Sequence, residues 1–543
     1  MSILPVVLFP LLYAETHYRF KYFFSFLKKS EPEILADIPH RLEPGAALPI
    51  LIIVKDADLY PVELHGVRLE ISYRGKLLFA VDNCIPPARS IKEPLWWKIV
   101  PLPLPDSTKN VFGFIDADVF FDYSVAGKHR SCKNDNYRTS SKRSLRIYRS
   151  QDPLPSISGW FQGDTHTHSS YTDDQVEFGA PLEASTTMCK AMGLSFFCVT
   201  DHSYDLDDKI DDYLSNDPEI PKWKALQEEV DNINSRVQDF VIIRGEEVSC
   251  FNRAQRNIHL LLWGTRKFFA GSGDSAEKWF RTNAEHSIVD VLSKKDDYVV
   301  AYAGHPTEPA PFFQRLFIKR GEWSLDDMNA DGLAGIQILN GEAGQSFSSG
   351  LACWTKLLLS GKRIFIAAGN DAHGNFNRFK QIGIPFFTIR EEDFQLFGAM
   401  RTAVQSESLD EASLLTSLRY GQSVVTNGPL LIFEILNERG DVTKIGGATS
   451  GVRLQLHVEG RTSQEYGSFE LVRIILGRVG SENEIVFGER HIAGLYSIDL
   501  NIRLDINTLR ETSYVRLEGR TKNASGRVRN GFCYTNPIWI LSK

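Results

Sequence analysis

Apolar and polar positions change rhythm twice along this chain. From about residue 35 to 150 they alternate in short runs, as in 48–54, 67–73 and 113–121, with Gly, Pro and Asp between them. Period-2 alternation with turn residues at such spacing predicts strands packed as a β-sandwich. After a linker, Asp152-Pro153-Leu154-Pro155, buried apolar runs are separated by stretches of helical period. Strands are predicted over 195–200, 240–244, 258–263, 299–303, 335–339 and 364–368, and helices over 181–192 and 222–237. That alternation predicts a parallel α/β architecture to about residue 430. Beyond Gly428-Pro429 the helical period stops, and 453–458, 469–476 and 514–517 predict a second sandwich. The expected domains are 1–152, 153–430 and 431–543. The apolar run 3–14 is short and broken by Pro5 and Pro10, so it is expected to pack as a terminal strand. It is too short to span a bilayer and lacks the preceding basic residue of a signal peptide.

Polar residues in the central region gather where its strands end. Gly163-Asp164-Thr165-His166-Thr167-His168 comes first, and alternate residues of a strand share a face, so His166 and His168 converge. Thr200-Asp201-His202, Gly245-Glu246-Glu247, Gly304-His305-Pro306, Asn340-Gly341-Glu342 and Asn370-Asp371-Ala372-His373 each follow a predicted strand. Parallel α/β folds keep functional groups at those carboxyl ends. His259 differs, lying inside 258–263. Six of the thirteen histidines fall in these segments, and together with the acids they predict a polynuclear metal site.

Composition narrows the class. Of 543 residues, 43% are hydrophobic and 24% charged, which fits a globular protein of several domains. A net charge of −7 argues against a dedicated nucleic-acid binder. The basic run 128–149, eight Lys/Arg against Asp135, is expected to be a solvated strand edge. Seven scattered cysteines form no CxxC, which points to a reducing, cytoplasmic compartment rather than a disulfide framework. Cys189, Cys198 and Cys353 read as small core residues. No GxSxG, Walker loop or dinucleotide GxGxxG occurs.

The order GDTHTHSSYTDD, GLSFFCVTDH, GEEVS, NIHLLLWG, AGHP and GNDAH resembles the PHP (polymerase and histidinol phosphatase) superfamily of metallohydrolases over about 158–430. LRYGQSVVTNGPL and FCYTNPIWI are similar to its carbaryl-hydrolase-like branch. The resemblance implies a distorted (β/α)7 barrel, here flanked by the two sandwiches, holding two or three metal ions; a His-rich site with carboxylates accepts Zn, Mn or Fe. By position it implies the ligands His166, His168, His202, Glu247, His259, His305, Asp371 and His373. Asp173 and Asp174 compete for one further place, with Asp174 favoured; Glu247 is preferred to Glu246 as the bridge between ions. Asp164 and Asp201 are expected to orient imidazoles from behind.

Three divalent ions set against Asp174, Glu247, Asp371 and one hydroxide leave a positive field, which suits a phosphate ester. The expected reaction is in-line attack by a bridging hydroxide, with Glu247, Asp371 and His373 as the catalytic set. Arg253, Arg256 and Arg378 are candidates to hold the phosphate. The expected partner is a small ester, with no nucleic acid and no membrane. A carbamate or carboxylic ester substrate is the second expectation, and a metal-containing scaffold the third. The loops 203–221 and 309–322 are expected to set specificity.

Overall fold

The computed structural model describes residues 31–542, apart from 86–88, 137–141, 173–178, 211, 274–281, 311, 379–380, 385–386, 391–394, 452 and 506–510. The apolar run 3–14 therefore lies outside the described residues. The chain divides into two compact units. One comprises 1–151, 174–193 and 374–396; the other comprises 152–173, 194–373 and 397–543.

The first unit is built on a sandwich. Glu33–Asp37, Leu48–Lys55 and Leu95–Leu102 form one sheet. Arg41–Leu42, Leu145–Arg149, Gly113–Val125, Val62–Tyr73 and Lys76–Val81 run in order through the other. Gly113–Val125 buries every second side chain, as a strand with one wet face must. Lys128–Lys133, the start of the basic run, pairs with this strand on its rim. Leu48–Lys55 is instead buried on both faces. The helix Leu182–Met192 belongs to this unit: Ala191 enters the sandwich core, and Arg41 Nη1 donates to the Met192 carbonyl at 2.7 Å. Gly193 closes that helix in the left-handed conformation, φ 89°, with its N–H on the Cys189 and Lys190 carbonyls.

The second unit does not form the expected (β/α)7 barrel. It is dominated by strands, and its parallel strands are divided between two sheets. In the larger sheet Trp160–His168, Phe196–Val199 and Val241–Ile243 are parallel neighbours. Arg401–Gln405 and Ser423–Thr426 then add antiparallel and lead through Phe532–Thr535 and Ser513–Lys522 to Ser468–Arg478 and Ile485–Leu495. The smaller sheet orders Gly245–Phe251, Asn257–Trp263, Val300–Ala303, Gly335–Asn340 and Phe365–Gly369, with its first two pairings antiparallel and its last two parallel. Among the described residues of this unit only two helices, Pro221–Arg236 and Gln345–Leu359, exceed nine residues. A helix-coated barrel needs a crossover helix after each strand. Here the one between Trp160–His168 and Phe196–Val199 is the Leu182–Met192 helix of the first unit.

The chain changes sheets at Gly245. A Cβ there would stand 2.4 Å from the Leu262 carbonyl oxygen and 3.0 Å from that of Val199, so only glycine fits the crossing. Phe196, Ile243, Trp263, Tyr302, Phe365 and Leu418 share one apolar interior between the two sheets. Leu430–Leu436 and Arg453–Arg461 pair in a further four-stranded sheet, whose apolar side meets Val472, Val515 and Leu517. Among the described residues no helix is long and apolar enough to cross a membrane. All seven cysteines are free thiols; Cys189 and Cys198 are buried, and Cys353 is partly buried.

Gly369 joins this scaffold to the histidines. A Cβ at Gly369 would lie 2.7 Å from the backbone nitrogen of His166. Gly369→Ala should therefore cost about 1–3 kcal/mol through overpacking. Gly488→Ala, where the new methyl meets only Ile474 Cδ1 at 3.7 Å, should stay within about 0.5 kcal/mol. Denaturant unfolding of the two variants checks the difference, and equal stabilities would refute the crowding at Gly369.

Candidate metal centre

His166 and His168 end the central strand Trp160–His168, and both rings are buried. His202 follows Phe196–Val199, and a single parallel bridge joins it to Glu247. Glu247 and His259 come from neighbouring antiparallel strands, which is why His259 lies within its strand rather than after it. His305 and Asp371 follow strands of the smaller sheet, each with left-handed backbone, φ 25° and 52°. Such backbone costs about 1–3 kcal/mol per residue and gathers at functional sites. Gly304 allows His305 to approach, since a Cβ there would meet the His259 carbonyl oxygen at 3.2 Å and Glu247 Oε1 at 3.4 Å.

Glu247 is the hub. Its Oε2 lies 3.0 Å from His202 Nδ1, 3.4 Å from His166 Nε2 and 3.5 Å from His168 Nε2. Its Oε1 lies 2.6 Å from His259 Nδ1 and 3.1 Å from His305 Nε2. Asp371 Oδ1 stands 3.0 Å from His168 Nε2 and 3.3 Å from His166 Nε2. His373 stacks on His168 with ring centroids 4.0 Å apart. Among the described residues three groups bring their ligand atoms within 4.8 Å of one another: His168, His202 and His373; His166, His168, Glu247 and Asp371; and His202, Glu247 and His259.

These residues fit divalent cations on three counts. First, His166 Nε2 and His168 Nε2 are only 3.3 Å apart. Ligand atoms held at about 2.0–2.1 Å around a tetrahedral zinc are separated by roughly that distance, about 3.4 Å. Second, the far ring nitrogens are engaged in ways that leave the inner ones as acceptors. His166 Nδ1 donates to Gln337 Oε1 at 2.9 Å, and His373 Nδ1 donates to the Asp371 carbonyl at 3.0 Å. His168 Nδ1 lies 3.4 Å from Thr172 Oγ1, whose hydroxyl donates to Asp201 at 2.8 Å. Third, the imidazoles around Glu247 Oε2 are close but not aligned as hydrogen bonds, so this buried oxygen has none.

Electrostatics follow the same geometry. Burial pushes Glu247 up, but the His259 and His166 imidazoles outweigh it and hold the carboxyl well below its ordinary range. Burial likewise opposes ionisation of Asp371, yet His166 and His168 keep it well below the usual value. Burial would lower His166, but Glu247 and Asp371 raise it to about 9. His168 is driven well down by burial and by the neighbouring His373 and His202.

Glu246 points to the opposite face of its strand, accepts the Phe269 N–H at 3.1 Å and is pushed well up by burial. Asp201 orients His168 through Thr172. Asp164 does not orient an imidazole as expected. It accepts the backbone N–H groups of His166, Asn370 and Gly398 and the Asn370 amide at 2.6 Å, pinning the segments that carry His166 and Asp371. Burial raises Asp164 to about 7. Asp173 and Asp174 lie outside the described residues.

Of the three expected phosphate arginines, Arg256 and Arg378 have partners elsewhere, and Arg253 lies in another groove. Arg256 Nη1 donates to the Arg315 carbonyl at 3.0 Å. Arg253 lines a separate groove with Phe251, Gln255 and Ser287. Arg378 belongs to the first unit, 3.8 Å from Asp37. The cation beside the centre is Arg320, whose Nη2 lies 3.3 Å from His259 Nδ1. Gln337 was also missed: its Oε1 accepts both His166 Nδ1 and the His305 backbone N–H. The available signal was a polar residue in the middle of the strand Gly335–Asn340, whose other polar residue, Asn340, stands at its end.

No family model matches this chain, and no curated protein matches it. Solved structures that superpose include a β-D-mannosidase from Dictyoglomus thermophilum, at 9% identity over 93% of this chain and 67% of that one, with a TM-score of 0.25. A trypsin-activated alpha-2-macroglobulin from Escherichia coli follows at 8% identity, 94% and 24% coverage, and a TM-score of 0.16. A putative β-galactosidase from Bacteroides fragilis gives 9% identity, 94% and 73% coverage, and a TM-score of 0.17. Scores of that size transfer neither fold nor activity to this chain.

Gln337→Leu should weaken zinc or manganese affinity by about 10–100-fold, the usual cost of losing a group that orients a ligand. Titration against a competing chelator checks this, and unchanged affinity would show that Gln337 has no such role. Because His166 holds its proton up to about pH 9, cation uptake near neutral pH should release that proton. Binding heats in buffers of different ionisation enthalpy would measure it; heats independent of buffer would exclude ligation at His166.

Proposed function

We propose that this chain is a metal-dependent phosphoesterase related to the PHP metallohydrolases. The relation rests on the residues of the centre and not on a barrel. The observation that carries it is the buried Glu247 carboxylate, ringed by five imidazoles with Asp371 beside two of them. Divalent ions held by His166, His168, His202, Glu247, His259, Asp371 and His373, with His305 adjoining, would polarise a phosphoryl oxygen and lower the pKa of bound water.

The chain's own residues then divide the work. Glu247 is fully buried and ionised, and is suited to hold charge in place. Asp371 is also kept ionised, but its side chain is 17% exposed. It can therefore accept a proton from the attacking water and pass it to solvent. Gln337 and Thr172 fix the faces that His166 and His168 present. The apolar interior beneath, including Trp263 and Phe196, excludes water from the inner side of the cluster.

Protein loaded with zinc or manganese should hydrolyse p-nitrophenyl phosphate or its bis-ester in a chelator-sensitive way. Asp371→Asn should lower kcat by about 10²–10⁴-fold, the range for loss of an acid–base group, with metal content followed in parallel. Full metal occupancy without turnover of either ester would overturn the phosphoesterase reading. Cleavage of an aryl carbamate in its place would move the assignment to the carbamate and carboxylic ester class.

A further inference from the structure

A pocket of about 230 Å³ opens beside the centre, and His259, His305, Pro306, Glu308, Gln314 and Arg320 are among the residues that line it. It is smaller than the roughly 300–1,000 Å³ of sites that enclose drug-sized ligands. Two of its walls are imidazoles that face Glu247. Arg320 is its cationic wall and comes from the 309–322 loop. The backbone of that loop is anchored, since Asn257 bridges to Arg320 and the Arg320 N–H donates to the Gln314 carbonyl at 3.1 Å. The guanidinium reaches His259 by both terminal nitrogens. Glu308, 3.8 Å from His305 Nδ1, and Glu322 place negative charge around the same opening.

We propose that Arg320 is the anion-binding and specificity-determining residue of this centre, and that it selects small phosphate monoesters over diesters. This rests on the phosphoesterase reading above. A guanidinium presents paired N–H donors to two oxygens of one phosphate. A monoester keeps three non-bridging oxygens and a second negative charge, so it can meet the centre and Arg320 together. A diester has one charge fewer, and its second alkyl group occupies the place of the oxygen that Arg320 would hold. Glu308 and Glu322 oppose anions at the same opening, so the preference rests on Arg320, and the small volume favours a compact leaving group. Arg320 lies outside the proposed ligand set but contacts the ligand His259, so metal content is measured in every variant at this position.

The test uses the full chain loaded with manganese, with inorganic phosphate as the probe. Arg320→Ala should retain metal by elemental analysis. It should raise both the KM for p-nitrophenyl phosphate and the inhibition constant of phosphate by about tenfold or more, the worth of one lost charge-assisted contact. The KM for bis-p-nitrophenyl phosphate should change by no more than about twofold, well under that factor. Arg320→Lys should recover part of the loss, and Arg320→Gln replaces the alanine variant if that variant loses metal. Direct phosphate binding by calorimetry gives a readout that does not need turnover. Phosphate binding that is unchanged in the variants would overturn the role of Arg320 and leave the phosphoesterase reading standing. Phosphate binding that depends on Arg320 without ester hydrolysis would support the anion site and remove the hydrolase. Neither binding nor turnover in the unaltered chain would overturn both.

Discussion

A buried carboxylate among imidazoles is the constraint that organises the second unit. Glu247 has no access to solvent, and an unpaired charge at such depth costs several kcal/mol. The fold answers by bringing His166, His168, His202, His259 and His305 against its two oxygens from separate segments of the chain. The His259 and His166 imidazoles keep Glu247 ionised against burial, so the compensation is positive charge at the middle, as protons on the imidazoles; cations among them would serve the same end. Both alternatives draw on the same lone pairs, so a cation bound at these residues would displace protons.

Meeting this requirement shapes the strands around it. A helix-coated barrel would deliver every ligand from the carboxyl end of a parallel strand. Here Glu247 and His259 arrive on an antiparallel pair, because the chain leaves one sheet at Gly245 and enters another. Close approach at Gly304 and Gly369, and left-handed backbone at His305 and Asp371, bring the remaining groups within reach. Asp164 secures the arrangement through backbone donors on three segments, a task that a carboxylate performs without touching the centre.

The two polar residues that sequence reasoning passed over share a reason. Gln337 and Arg320 acquire meaning only from what stands opposite them. Gln337 is one of two amides in the strand Gly335–Asn340 until His166 and the His305 backbone are seen to share its oxygen. Arg320 is one of many loop cations until the loop is folded against His259. Proximity in sequence favoured Arg253 and Arg256 instead, but a strand that buries His259 sends the turn before it away from the cluster.

The main strands, the sandwich patterning of the first unit and the gathering of histidines and acids behind apolar runs are legible in the order of residues. These are local properties: side-chain period and turn chemistry are written within a few residues. Tertiary structure alone decided that the parallel strands divide between two sheets and that the Leu182–Met192 helix belongs to the first unit. It also decided which of Glu246 and Glu247 faces the imidazoles. Apolar runs of similar length and composition can pair in either direction, because each is buried on both faces and its pattern carries no register. Pairing and partner choice are settled by contacts between residues far apart in the chain, and those contacts exist only once the whole unit has packed.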